Sequence, residues 1–168
     1  MSDISGLSAR MAFFDEGAET AANFRENLEF MAVDMGNFYY GIELECVKEL
    51  IREPHITQIP CLPAYYEGVC NWKGNIVPVV SMRAAGGISQ EAPSQKLVLI
   101  VRAGGLECGL LIEGEPRILG ISPDRELIGE LPEADGIMLV VKHAFEGEDK
   151  VISVIDVEKS LKKMVVFE

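Results

Sequence analysis

His55 and Cys61 are the side chains of this sequence that come closest to a nucleophile and its base. A thiol attacks as the thiolate, which needs an imidazole oriented by a third group and donors for the charge that develops. The intervening residues Ile56 to Pro60 supply neither. The second histidine, His143, lies in the apolar run LVVKHAF at strand spacing and reads as a packed or edge residue, and no His/Glu cluster accompanies it. Cys46, Cys61, Cys70 and Cys108 are spaced too widely for a CxxC metal knuckle or redox pair and read as reduced, mostly buried thiols. Carboxylates such as Glu113 and Glu115 are plentiful, but acid–base work requires two groups with separated pKa values. Ala84–Gly87 and Ala103–Gly105 lack the lysine and spacing of a phosphate-binding loop. The expectation is a protein with no catalytic residue, no metal and no cofactor.

What remains is a charged pair and an aromatic. Glu49 stands in the strand-like run VKELI, and Lys73 at a turn after GVCNW. A cross-strand ion pair between them is expected; if exposed it contributes only about 0.2–1 kcal/mol, so it serves register or recognition better than stability. Trp72, the only tryptophan, is a core residue or a partner anchor. Its place beside the turn puts it among the residues expected to be exposed, where an anchor would lose about 2 kcal/mol or more on truncation to alanine. Gly68 and Gly74 read as turn or close-approach residues.

The elements that must position these residues are short strands. LEFMAVDM and FYYGIEL flank Gly36-Asn37, a hairpin signal. Pro54, Pro60 and Pro63 interrupt regular structure after Ile51 and predict an irregular crossover. The turn at Lys73-Gly74-Asn75 joins GVCNW to IVPVVSM, where Pro78 predicts an edge position or a bulge. Ala84 to Ser94 reads as an internal break, followed by KLVLIVR and LECGLLIE around Ala103-Gly104-Gly105. IMLVVKHAF and KVISVID follow, and Asp156 can cap a last helix, VEKSLKKM, whose Lys162 and Lys163 complement its dipole. Residues 1–26 carry Leu7, Met11, Phe14, Ala18 and Ala21 at helical spacing and read as an amphipathic arm or a loose leader.

These residues in this order resemble the CheW family of chemotaxis scaffold proteins. The resemblance covers about residues 27–163 and rests on Val47-Lys48-Glu49-Leu50-Ile51, on Pro60 and Pro63, and on the run from Gly68 to Val80, GVCNWKGNIVPVV, which is similar to the family's G-V-x-N-L-R-G-x-I-x-P-V-V. A weaker echo is Gly109 to Glu113, GLLIE. Lys73 stands where the family has arginine, Trp72 where it has leucine, and Ser81 where it has an acidic residue. Lysine keeps the charge but lacks the planar fork that grips a carboxylate at two points, so the partner need not be recognised in the same way.

The resemblance implies a mainly β fold of two five-stranded SH3-like barrels on a shared apolar core with a short C-terminal helix. Short strands at this frequency argue the same way and against a βαβ sheet. The expected division is residues 1–26 as arm and 27–165 as the folded unit, with a first barrel at about 40–90, a second at about 95–150, and terminal segments crossing between them. It also implies a non-catalytic adaptor that joins the signalling tip of a methyl-accepting chemoreceptor to the regulatory domain of the histidine kinase CheA, with an ion pair at the positions of Glu49 and Lys73 and a receptor-facing groove near Gly68. Val47, Glu49, Gly68, Asn71, Trp72 and Lys73 are the residues expected to face a partner. An adaptor of the same fold serving another signalling system is the alternative, and a small-molecule-binding barrel a weaker one.

Composition bounds the rest. At 168 residues and 48% hydrophobic the chain can bury a sizeable core. Its net charge of -12 opposes phosphate backbones and anionic headgroups, so nucleic acid is not expected as a partner. With no signal-like start and no uncharged run approaching the ~18 residues needed to span a bilayer, a cytoplasmic protein without membrane insertion is expected.

Overall fold

The computed structural model describes residues 27–88, 96–129 and 137–165, so the expected arm over 1–26 and most of the break at 84–94 lie outside the described residues. Local signals set the first elements. Strands β1 (Leu28–Asp34) and β2 (Tyr39–Glu43) form an antiparallel hairpin. Gly36 has φ +98°, and its N–H donates to Asp34 Oδ1 at 2.8 Å. A 3₁₀ turn leads into β3 (Val47–Ile51), and the proline-bearing crossover follows. Strands β4 (Tyr66–Trp72) and β5 (Asn75–Ser81) meet at Lys73-Gly74, both with positive φ (51° and 83°), the geometry of a two-residue hairpin turn whose twist suits the strands. Ser81 then caps a short helix, α1 (Met82–Ala85), accepting from the Ala84 N–H at 3.1 Å.

Strands β6 (Lys96–Ala103) and β7 (Leu106–Glu113) pair through Gly104-Gly105, and β8 (Arg117–Ile121) follows. The chain ends with β9 (Val141–Glu146), β10 (Val151–Ile155) and the helix α2 (Val157–Val165), capped as expected by Asp156, whose Oδ1 accepts from the Lys159 N–H at 3.0 Å.

The strands sort into two five-stranded sheets, ordered β8-β1-β2-β10-β9 and β3-β6-β7-β5-β4. One connectivity serves both. In each, a central hairpin lies against a lone strand on one side and a second hairpin on the other, with one parallel pair, β2 with β10 and β5 with β7. Gly41 opposite Val154 and Gly109 opposite Val79 occupy matching points, and two residues past each valine Asp156 or Ser81 starts a helix. Each sheet also closes alike: beyond β3, Thr57 bridges to Val69 on β4, and beyond β8, Glu126 bridges to Phe145 on β9. Both are thus closed barrels.

This membership corrects the expected division. β6 and β7 belong with β3–β5, because β6 pairs β3 and β7 pairs β5. The central barrel is built from residues 47–113 and the flanking barrel from 28–43 and 117–155. Pro78 sits on β5, an interior strand of the sheet, but on a stretch that is open on its β7 side, and it is not itself at a bulge. Val69 opposite it spends its own N–H and C=O on Thr57, and pairing with β7 begins only at Val79, so no ladder donor is required of residue 78.

Side-chain alternation divides the apolar residues among three clusters. On β6, Leu97, Leu99 and Val101 point to a core shared by the barrels, while Val98 and Ile100 fill the central barrel. On β1, Met31 and Val33 face the shared core, and Phe30 and Ala32 the flanking barrel's interior. Burial on both faces is why LVLIV is continuously apolar. Helix α2 adds Val157, Leu161 and Met164 to the shared core, tied down by the Tyr66 hydroxyl, which donates to the Met164 carbonyl.

Candidate docking surface

β3 and β4 are the two margins of the central barrel's sheet, and closure of the barrel brings them together. Glu49 on β3 is exposed, next to a register irregularity between Val47 and Glu49. Trp72 ends β4. Its side chain alternates with exposed Asn71 and falls on the same face as Cys70, inside the barrel, where it is only 7% exposed. The expected exposed aromatic is therefore a core residue. Its indole N–H donates to Glu49 Oε1 at 2.9 Å, a bond that spans the seam between the margins. A buried N–H left without an acceptor costs about 1–3 kcal/mol, more than an exposed ion pair contributes, so this bond is the stronger constraint on the Glu49 side chain.

The expected Glu49–Lys73 ion pair is absent among the described residues. Lys73 instead places its Nζ 5.2 Å from the centroid of the Trp72 ring, and the Arg102 guanidinium lies 6.0 Å from it. Arg102 is itself paired with Glu107. Asn71 Oδ1 accepts from the Gly74 N–H at 3.2 Å and braces the turn.

Gly68 answers a backbone constraint. At φ +141°, a Cβ there would lie 2.1 Å from the Thr57 carbonyl oxygen, in the bridge that closes the barrel. Val47 is half-buried and packs on the shared core, away from solvent on one side. The structure thus brings Glu49, Trp72 and Lys73 into one cluster with Asn71 bracing it, and assigns Gly68 and Val47 to the framework beneath.

Beside the seam, Ile51, Pro54, His55, Thr57, Val69 and Ile76 line a groove of ≈ 330 Å³. Ile76 is 67% exposed, a residue sequence reasoning passed over. Its neighbours give no warning: Val77 and Val79 point into the barrel, and Val80, on the same face as Ile76, packs in the shared core. His55 and Cys61 form no hydrogen bond with each other, and Cys46, Cys70 and Cys108 are buried. Burial pushes the Cys108 thiol up to about 12, the opposite of nucleophile activation. Among the described residues no three His, Cys, Asp or Glu side chains form a metal-binding group, and no helix is long and apolar enough to cross a membrane.

Two closed barrels back to back on one core, with charged side chains and a half-apolar groove along one seam, define a double-barrel β protein. The family model of the CheW-like domain matches residues 29–164, and the chain belongs to that family. It is 24% identical over 151 residues to a chemotaxis protein CheW of Thermotoga maritima, covering 89% of this chain and 98% of that one. The Helicobacter pylori chemotaxis protein CheW is 27% identical over 141 residues, 82% of this chain and 84% of that one. The match to the Treponema pallidum protein of the same name is 25% over 104 residues and spans 61% of that protein's length. Among solved structures, the scaffolding protein TtCheW from Thermoanaerobacter tengcongensis superposes with a TM-score of 0.67 at 23% identity, covering 77% of this chain and 89% of that one, which establishes the shared fold.

Proposed function

We propose that this chain is a non-catalytic chemotaxis adaptor of the cytoplasm. It joins the signalling tip of a methyl-accepting chemoreceptor to the regulatory domain of the histidine kinase CheA and so sets kinase activity through contact geometry. Family membership supports the class of role, and one observation carries the location: Glu49 and Lys73 are held by a barrel seam and a two-residue turn, beside a groove with Ile76 exposed. Rigid, outward-facing charges of this kind steer and register a partner more than they hold the fold.

Co-sedimentation of the purified protein with receptor-tip fragments and with the CheA regulatory domain tests the reading. Lys73→Glu and Glu49→Lys are expected to weaken binding to at least one of them by about tenfold, equivalent to 1.4 kcal/mol. Unchanged affinity of Lys73→Glu for both would move the site elsewhere. A second reading, an adaptor of this fold for another signalling system, is favoured by the indole hydrogen bond that occupies Glu49. Wild-type protein that sediments with neither fragment supports it.

A further inference from the structure

Trp72 is the chain's only tryptophan, and at 7% exposure its indole N–H must find an acceptor within the protein. It finds Glu49 Oε1 at 2.9 Å. Lys73, one residue on, is in the left-handed conformation at φ 51°, which lays its Nζ 5.2 Å from the indole centroid. Among the described residues it has neither a carboxylate at ion-pair distance nor a hydrogen-bond acceptor. In a chain of net charge -12, this exposed ammonium stands on a two-residue turn with no counter-charge of its own among the described residues.

We propose that Trp72 is the specificity-determining residue of this surface: by holding Glu49 through its indole N–H it keeps Glu49 and Lys73 apart, so that Lys73 takes a carboxylate of the partner. The proposal rests on the docking role argued above. Phenylalanine at position 72 would fill most of the same space but donate nothing, leaving Glu49 free to turn to Lys73 and neutralise it. An aromatic ring is retained under the lysine, so the loss of the N–H is the change that matters.

The test has two arms. The first needs no partner: urea midpoints by circular dichroism for Glu49→Gln, Lys73→Gln and the double substitution, each in wild-type and in Trp72→Phe protein. The two shifts should add in wild type, whereas in Trp72→Phe the double should shift less than the sum. Equal non-additivity in both backgrounds overturns the proposal. The second arm is binding to the receptor-tip fragment and the CheA regulatory domain. Trp72→Phe and Lys73→Gln should each weaken the same complex severalfold, with Trp72→Phe adding nothing once Lys73 is gone, and affinity should fall as salt rises. Wild-type affinity in Trp72→Phe refutes it. If wild-type protein binds neither fragment, the assignment of partners fails, while the first arm still decides whether Trp72 separates the two charges.

Discussion

Replacing Gly68 by alanine attacks the closure of the central barrel at one atom. The added Cβ would lie 2.1 Å from the Thr57 carbonyl oxygen, 2.8 Å from its carbonyl carbon and 3.1 Å from the Gln58 Cα, all backbone atoms with no side-chain freedom to yield. Relief requires moving the crossover by about 1 Å, on the basis that contacts under ~3 Å are repulsive, and that breaks the paired hydrogen bonds between Thr57 and Val69, 2.8 and 2.9 Å long. Two such bonds contribute about 0.5–1.5 kcal/mol each. Holding alanine at φ +141° costs on the order of 1–3 kcal/mol more. The expected loss is about 2–6 kcal/mol, which for a chain of this size lowers the melting temperature by roughly 10 °C. Gly74→Ala is the control: φ is +83° and nothing lies within 4 Å, so strain acts alone and the loss is about 1–2 kcal/mol. Thermal melts, with hydrogen exchange at the Thr57 and Val69 amides, read the outcome. If Gly68→Ala melts within a degree of Gly74→Ala and keeps both amides protected, the close-approach argument is wrong.

Leu99→Ala, at a fully buried position of the shared core, should cost about 2–5 kcal/mol in urea unfolding. Asp34 is held below the usual carboxylate range by its hydrogen bonds with Lys150 and the Gly36 N–H, so its contribution is present at neutral pH and disappears as pH falls through its lowered pKa. Lys150→Met should flatten that acid limb of the stability curve, and an unchanged limb would count against the Asp34–Lys150 pair. Thiol titration of native protein should find exposed Cys61 reactive and Cys46, Cys70 and Cys108 silent until denaturant is added. Rapid reaction of Cys108 in native protein would contradict its burial.

Much of the fold is written locally. Gly36, Lys73-Gly74 and Gly104-Gly105 mark hairpins because positive φ is a property of the turn residues themselves. Asp156 announces α2 because a cap needs only its own carboxylate and the next turn's N–H groups. Of the proposed site, the run from Gly68 to Val80 marks one margin of the seam in the sequence, and Glu49 and Lys73 are both exposed there. Ile76 escaped notice because a strand covered on both faces no longer reveals by alternation which residue reaches solvent.

By itself, then, the order of residues determined most of the strands, their turns and the final helix, since each depends on neighbours within a few positions, while β8 went unread. Tertiary structure alone decided which strands share a barrel, where Trp72 points and whom Glu49 holds. Those outcomes hang on pairings between distant segments, β5 with β7, β3 with β6 and Thr57 with Val69, whose free energy is settled only when both margins of a sheet meet. The buried indole N–H has no water to fall back on and takes Glu49 Oε1 as its acceptor, and no local pattern says that it will.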